Sequence, residues 1–97
     1  MDELFREYLD YLRVERGSSP LTVTAYARDL KDYAAFLQER GVADVGEVDR
    51  DAVVAYEADL FSRGYPVSSI DRRISVLKGF HRFLVREGIP VRVESNR

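Results

Sequence analysis

The sequence is poor in the residues that metal and redox sites use. It contains no cysteine and a single histidine, His81. Disulfides and thiolate metal sites are therefore excluded. A zinc or iron site would have to be built almost wholly from carboxylates, which is an improbable ligand set for either metal. We accordingly expect no metal site and no cofactor.

The sequence also lacks targeting and membrane signals. No run approaches the roughly 18 apolar residues that a membrane-spanning helix needs. The N-terminal segment alternates charged and apolar residues and so lacks the basic then apolar layout of a secretory signal. We expect a cytoplasmic protein with no membrane partner.

No catalytic motif is present either. A glycine-rich phosphate loop is absent. Carboxylate pairs such as Asp29 with Asp32 are typical of solvated helix faces, and without a pocket to raise a pKa they do not indicate acid–base chemistry. The tyrosines recur at the spacing of core residues. We therefore predict no catalytic residue and expect that the chain alone is not an enzyme.

The charge of the chain is small overall but unevenly distributed. The net charge of −2 over 97 residues, taken alone, argues mildly against nucleic-acid binding. Residues 43–60, however, hold six acidic residues against one arginine, a local charge of −5, whereas residues 68–88 hold five basic residues against two acidic ones, a local charge of +3. A protein divided in this way can bind a polyanion on its basic side.

Helical periodicity accounts for almost the whole chain. Apolar residues recur every three or four positions in four segments, which predict amphipathic helices over residues 2–16, 20–40, 49–62 and 68–88. Gly17 is a natural stop, Ser19 and Pro20 are typical of a helix start, and Asp49 is a predicted N-cap. Valines in the loop at 42–48 are expected to pack under the helices. The chain is predicted to be one all-α domain, a compact four-helix bundle over residues 1–88, followed by a tail or linker at 89–97.

The fourth predicted helix has two distinct faces, and Ser68 with Asp71 resembles a capping box at its start. A broad apolar arc holds Ile70, Ile74, Val76, Leu77, Phe80, Phe83, Leu84 and Val85. The opposite side holds Arg72, Ser75, Lys78, Gly79, Arg82 and Arg86. Arg73 and His81 project off this basic side, so we expect an ion pair between Arg73 and a carboxylate such as Asp29, and a core or edge role for His81.

The basic side of the fourth helix allows two interpretations. It is either a solvated helix face or a DNA-binding surface. Ser75 and Gly79 are small residues between long cations, a layout that permits close approach to a groove. The starts of the second and fourth helices, with Ser19 and Thr22 and with Ser68 and Ser69, offer backbone N–H groups suited to phosphate. These features favour a reader of the DNA major groove.

Three segments resemble one known family. They are FxxYLxxLRxERGxS at residues 5–19, TxxxYxxDLxxYxxFL at 22–37 and SSIxRRxSxLKGFxRFLxREG at 68–88. The chain is similar to the N-terminal, core-binding domain of tyrosine recombinases of the phage-integrase family, most closely the Xer-type proteins. Where the family usually has an aromatic residue this chain has His81, and Ile89-Pro90-Val91 stands where relatives often have Asn-Pro.

The resemblance implies a SAM-like orthogonal bundle that clamps double-stranded DNA at a recombination half-site. It implies DNA contacts at Thr22 and Arg28 on the second helix, and at Arg72, Ser75, Lys78, Arg82 and Arg86 on the fourth. The implied partners are a C-terminal catalytic domain, which carries the strand-cleaving and rejoining chemistry, and other recombinase protomers, near which Tyr8 and Tyr11 would be partly exposed. The alternative is a helical protein-interaction module that uses the aromatic residues of the first helix and the acidic third helix without nucleic acid.

Overall fold

The computed structural model describes residues 2–89 and residue 91. These residues form α1 (Asp2–Val14), α2 (Pro20–Glu39), a short 3₁₀ helix (Val45–Glu47), α3 (Arg50–Ser62) and α4 (Val67–Arg86). The described residues contain no strand, and the molecule extends over 35 × 29 × 25 Å along its principal axes. The prediction of a compact, all-α bundle of four helices is confirmed.

Two of the helices begin at side-chain caps that the sequence predicts. The Ser19 side chain accepts a hydrogen bond from the Thr22 N–H at 3.2 Å, with Pro20 in the first helical position. The Asp49 carboxylate accepts from the Ala52 N–H at 2.9 Å. Each cap satisfies a backbone donor that has no partner within its helix, which stabilises the helix by about 1 kcal/mol.

The start of α4 differs from the prediction. Pro66 is the N-cap, in an extended conformation (φ −68°, ψ 156°), and no side chain caps the helix. Helical structure therefore begins at Val67, which places Ser68 inside the first turn, where its hydroxyl cannot act as an N-cap. The predicted capping box of Ser68 and Asp71 is wrong.

The core consists of two clusters that α2 and α4 share. One cluster lies against α1 and uses the C-terminal half of α4; its buried residues are Phe5, Tyr8, Leu12, Leu30, Val45, Val76, Phe80, Phe83 and Leu84. The other lies against α3; its buried residues are Tyr33, Leu37, Val48, Ala52, Tyr56, Leu60, Ile70 and Leu77. Val45 and Val48, from the segment between α2 and α3, are buried in the first and the second cluster respectively, as predicted for the loop. Each large apolar side chain buried in this way stabilises the fold by roughly 1.5–3 kcal/mol. Because one side of α4 is buried along the length of the helix, its opposite side faces outward.

Two predicted exposures are wrong. Val85, in the predicted apolar arc, is 56% exposed because it lies two helical turns after the exposed Lys78, on the outward side of α4. Tyr8 is only 5% exposed, since its ring lies between Phe80 and Phe83, with ring centroids 5.7 and 5.3 Å away. Tyr11 is half-buried.

The predicted tail falls largely on residues that the structure does not describe, namely 90 and 92–97. Ile89 and Val91 are described, and both pack against the cluster beside α1. The division into a domain at 1–88 and a tail at 89–97 stays a prediction.

Candidate nucleic-acid interface

The outward side of α4 carries a row of cations. Arg72, Lys78, Arg82 and Arg86 are all exposed, as is Ser75 between them, and their spacing of three to six residues keeps them on one side of the helix. Within residues 2–89, Lys78 and Arg82 make no ion pair. The predicted basic face is therefore present, and two of its charges have no carboxylate partner in the described part of the chain. We call Arg72, Ser75, Lys78, Arg82 and Arg86 the basic face of α4.

Arg72 is the member of the basic face that is tied to the core. Its Nη2 lies 3.1 Å from Oδ1 of Asp29, whose side chain is 4% exposed, whereas Arg72 itself is 51% exposed. The interpretation of Asp29 as a solvated carboxylate is wrong: it is buried on α2 and depends on α4 for its counter-charge. Removing the positive charge at Arg72 would leave this buried carboxylate poorly paired.

Arg73 has the structural role that the sequence predicts, although its main partner is a different carboxylate. It is 11% exposed, and its Nη1 lies 3.2 Å from Oδ2 of Asp32, compared with 3.9 Å from its Nε to Asp29. Its guanidinium also lies over the Tyr65 ring, 4.6 Å from the centroid. These contacts turn Arg73 away from the basic face.

Asp32 is the centre of a network that joins α2, α3 and α4. Besides Arg73, it accepts a hydrogen bond from the Tyr56 hydroxyl at 2.7 Å and two from Arg63, at 2.8 and 3.1 Å. The hydrogen bond from Arg63, with that from Tyr56, lowers the pKa of Asp32 despite partial burial. Asp32 is thus a structural carboxylate, and the interpretation of it as a solvated one is wrong.

His81 lies on the buried side of α4. It is 1% exposed, and its Nε2 is 3.0 Å from the hydroxyl oxygen of Tyr33. Burial lowers the pKa of His81 to about 4, so the ring is neutral at pH 7. This confirms its core role and removes it from the basic face.

The second helix contributes less at its start than the sequence suggests. Arg28 is exposed and, among residues 2–89, has no ion-pair partner. Thr22 is half-buried, its backbone N–H is already bonded to Ser19, and its hydroxyl accepts from Ser19 at 3.0 Å. Since Pro20 has no N–H, this helix start has few free donors for a phosphate. The start of α4, which no side chain caps, has more.

Gly79 lies on α4 where this helix meets α1, and it is partly buried. A Cβ atom at this position would lie 2.6 Å from the hydroxyl oxygen of Tyr8. The small size of Gly79 is therefore needed where α4 meets α1, and its proposed role in close approach to a groove stays a prediction.

A cleft of about 380 Å³ opens beside Gly79, between α1, the start of α2 and α4. It is lined by Tyr8, Tyr11, Leu12, Arg16, Ser18, Tyr26, Ser75, Val76, Gly79, Arg82, Phe83 and Arg86. At its edge, Arg86 donates a 2.8 Å hydrogen bond to the Tyr11 hydroxyl and lies 3.7 Å from a carboxylate oxygen of Glu15. The sequence-based prediction omitted Arg16 and Tyr26 from this surface; only the position of Arg16 directly before the helix-ending Gly17 could have indicated that it lies near α2.

None of the described helices is both long enough and apolar enough to cross a membrane. The same residues hold no group of three histidine, aspartate or glutamate side chains placed to bind a metal ion.

Comparison with known proteins gives consistent matches. The family described as "Phage integrase, N-terminal SAM-like domain" matches residues 5–88. Tyrosine recombinase XerD of Staphylococcus haemolyticus is 37% identical over 87 residues, and Tyrosine recombinase XerD of Staphylococcus aureus is 34% identical over 87 residues. Each alignment covers 90% of this chain and 30% of the relative, so the chain spans less than a third of the length of these curated relatives. No solved structure matches the chain significantly.

Proposed function

The chain belongs to the family of phage integrase N-terminal SAM-like domains, and on this premise we propose that it binds duplex DNA as the core-binding domain of a site-specific tyrosine recombinase. In this proposal it clamps one side of a recombination half-site. The proposed DNA contacts are Thr22, Arg28, Arg72, Ser75, Lys78, Arg82 and Arg86.

The observation that carries the proposal is the basic face of α4. Lys78 and Arg82 are exposed and have no carboxylate partner within residues 2–89, while the other side of the same helix is buried in both core clusters. An α-helix fits into the major groove of B-DNA, and long cations along it reach the phosphates on either side. Ser75, between Arg72 and Lys78, is short enough to let the helix approach the bases.

The charge distribution over the rest of the surface agrees with this orientation. The acidic residues between 43 and 60 belong to the 3₁₀ helix, α3 and the turns around them, whereas the basic face belongs to α4. Repulsion between phosphates and the acidic segment favours the approach of DNA through α4.

The number of proposed phosphate contacts predicts how strongly the DNA affinity depends on salt. Each phosphate that a cation neutralises adds about −0.9 to the slope of log affinity against log salt concentration. Four such contacts predict a slope near −3.6, which corresponds to a loss of affinity of roughly 10² between 50 and 200 mM salt. We expect this dependence for a fluorescein-labelled 30-base-pair duplex, measured by fluorescence anisotropy.

A pair of double variants tests the location of the surface. Lys78→Gln with Arg82→Gln should reduce the steepness of the slope by about 1.8, since two phosphate contacts are lost. The control, Arg13→Gln with Arg50→Gln, removes the same charge from α1 and α3 and should leave the slope nearly unchanged. Equal effects of the two pairs would contradict the proposal, as would a wild-type chain whose binding does not depend on salt. Arg72 is left intact because it also pairs with the buried Asp29.

The alternative, a protein-interaction module on α1 and α3, receives less support from the structure. Tyr8 is 5% exposed and Tyr11 packs against Phe83 and Arg86, so α1 offers few exposed aromatic rings. Under this alternative, the Lys78 and Arg82 variants would leave a partner complex intact and no duplex binding would be seen.

The relatives that share this domain are named tyrosine recombinases and are about three times as long as the aligned region. We propose that strand cleavage and rejoining reside in a C-terminal catalytic domain of the longer protein, and that further recombinase protomers bind DNA beside this domain. The contribution of this chain is then to bind and position DNA.

A further inference from the structure

The cleft between α1, α2 and α4 has the lining of an anion site. We infer that it binds one phosphate group of the DNA backbone, and that Arg16, at the turn between α1 and α2, contacts this phosphate together with Arg82. This inference rests on the proposed function and adds to it a discrete phosphate site built by three helices. Arg16 lies outside the basic face of α4, so the site also extends the proposed surface beyond that helix.

The charged side chains that line the cleft are all positive. Arg16, Arg82 and Arg86 line it, whereas no aspartate or glutamate does so among the described residues. Within residues 2–89, Arg16 and Arg82 make no ion pair; Arg86 is held at the edge by Tyr11 and lies 3.7 Å from Glu15. Two guanidinium groups without an ion-pair partner in the described residues thus line one cleft, and guanidinium geometry matches that of a phosphate.

Two tyrosine hydroxyls of the cleft can also donate hydrogen bonds to an anion. Tyr8 and Tyr26 line it from α1 and α2, and in the part of the chain that the structure describes neither hydroxyl has a hydrogen-bond partner. A tyrosine hydroxyl is protonated at neutral pH and able to donate, and burial raises the pKa of Tyr8 further. Ser75 adds a third hydroxyl from α4. Oxyanions accept hydrogen bonds from all of these groups, whereas a cation would find no negative ligand.

The test compares two arginines at the C-terminal end of α1. Arg16→Gln should reduce the steepness of the salt slope for the 30-base-pair duplex by up to about 0.9, because Arg82 still contacts the same phosphate. The loss of affinity between 50 and 200 mM salt then becomes up to about 3.5-fold smaller. Arg13→Gln removes the same charge three residues away, from an exposed pair with Asp10 outside the cleft, and should leave the slope unchanged. Tyr26→Phe should weaken binding about 2- to 10-fold at every salt concentration without changing the slope, because it removes a donor but no charge.

The outcomes separate this inference from the proposed function. If Arg16→Gln behaves like Arg13→Gln while Lys78→Gln still reduces the slope, the phosphate site is overturned and the proposed function stands. If the wild-type chain binds the duplex without salt dependence, both are overturned. The site is supported if Arg16→Gln reduces the slope and Arg13→Gln does not, and if Tyr26→Phe weakens binding without changing the slope.

Discussion

The contact between Gly79 and Tyr8 predicts a strong energetic coupling between α4 and α1. A Cβ atom on residue 79 would lie 2.6 Å from the Tyr8 hydroxyl oxygen but 3.7 Å from the ring carbon that bears it. The first distance is a severe overlap and the second an ordinary contact. The ring cannot easily move aside, because Phe80 and Phe83 hold it and it is 5% exposed.

Two opposing effects determine the size of the perturbation. Alanine is favoured over glycine within a helix by about 1 kcal/mol. Overpacking at a filled site costs typically 1–3 kcal/mol. Gly79→Ala should therefore lower the free energy of unfolding by about 0–2 kcal/mol. In a Tyr8→Phe background the overlap is absent, so the same substitution should stabilise the protein by about 1 kcal/mol.

Urea unfolding followed by far-ultraviolet circular dichroism measures this coupling from four proteins: wild type, each single variant and the double variant. The expected coupling energy is about 1–3 kcal/mol. Tyr11→Phe is the matched control, since it removes a hydroxyl from the same helix that is bonded to Arg86 and not placed against residue 79. Coupling below about 0.5 kcal/mol, or equal coupling with Tyr11→Phe, would refute the packing argument.

Other perturbations test the interior and the helix starts. Because burial lowers the pKa of His81 to about 4, the histidine of the unfolded chain is protonated first as the pH falls. The free energy of unfolding of the wild type should therefore drop by about 2 kcal/mol between pH 7 and pH 5 relative to that of His81→Phe. Urea unfolding at each pH measures this difference. Asp32→Asn should destabilise by about 2 kcal/mol at pH 7, since charged hydrogen bonds are lost, while the exposed control Glu7→Gln should change stability by less than about 0.5 kcal/mol. Thermal unfolding should show that Asp49→Ala lowers the free energy of unfolding by about 1 kcal/mol, because an N-cap is lost. Ser68→Ala should leave it unchanged, because the Ser68 side chain is not the cap of α4; a loss of stability in Ser68→Ala would support the capping box instead.

Local patterns predicted the helices and the basic face because those features depend on residues close together in sequence. Periodicity every three or four residues identified all four helices, and the caps at Ser19 and Asp49 need only a neighbour three positions away. The exposed positions of Lys78 and Arg82 follow from the same periodicity once the opposite side of α4 is buried. Together these features gave the fold class and the surface on which the proposed contacts lie.

Contacts between distant residues account for what the sequence did not predict. Asp29 and Arg72 are 43 positions apart, so nothing local indicates that this carboxylate is buried and paired. The periodicity of α4 also cannot show that Tyr8 of α1 occupies the space beside Gly79. Arg16 reaches the proposed site only because the turn after α1 brings it beside α4.

The central claim, that DNA binds to the basic face of α4, is tested most directly by mapping the contact on the protein. Amide resonances of the ¹⁵N-labelled chain can be followed while the unlabelled 30-base-pair duplex is added at 50 mM salt. We predict shifts concentrated from Ser75 to Arg86 and from Thr22 to Arg28, with few on α3, and their reversal at 200 mM salt as binding weakens. Shifts that cluster on α3, or no shifts at any duplex concentration, would contradict the account.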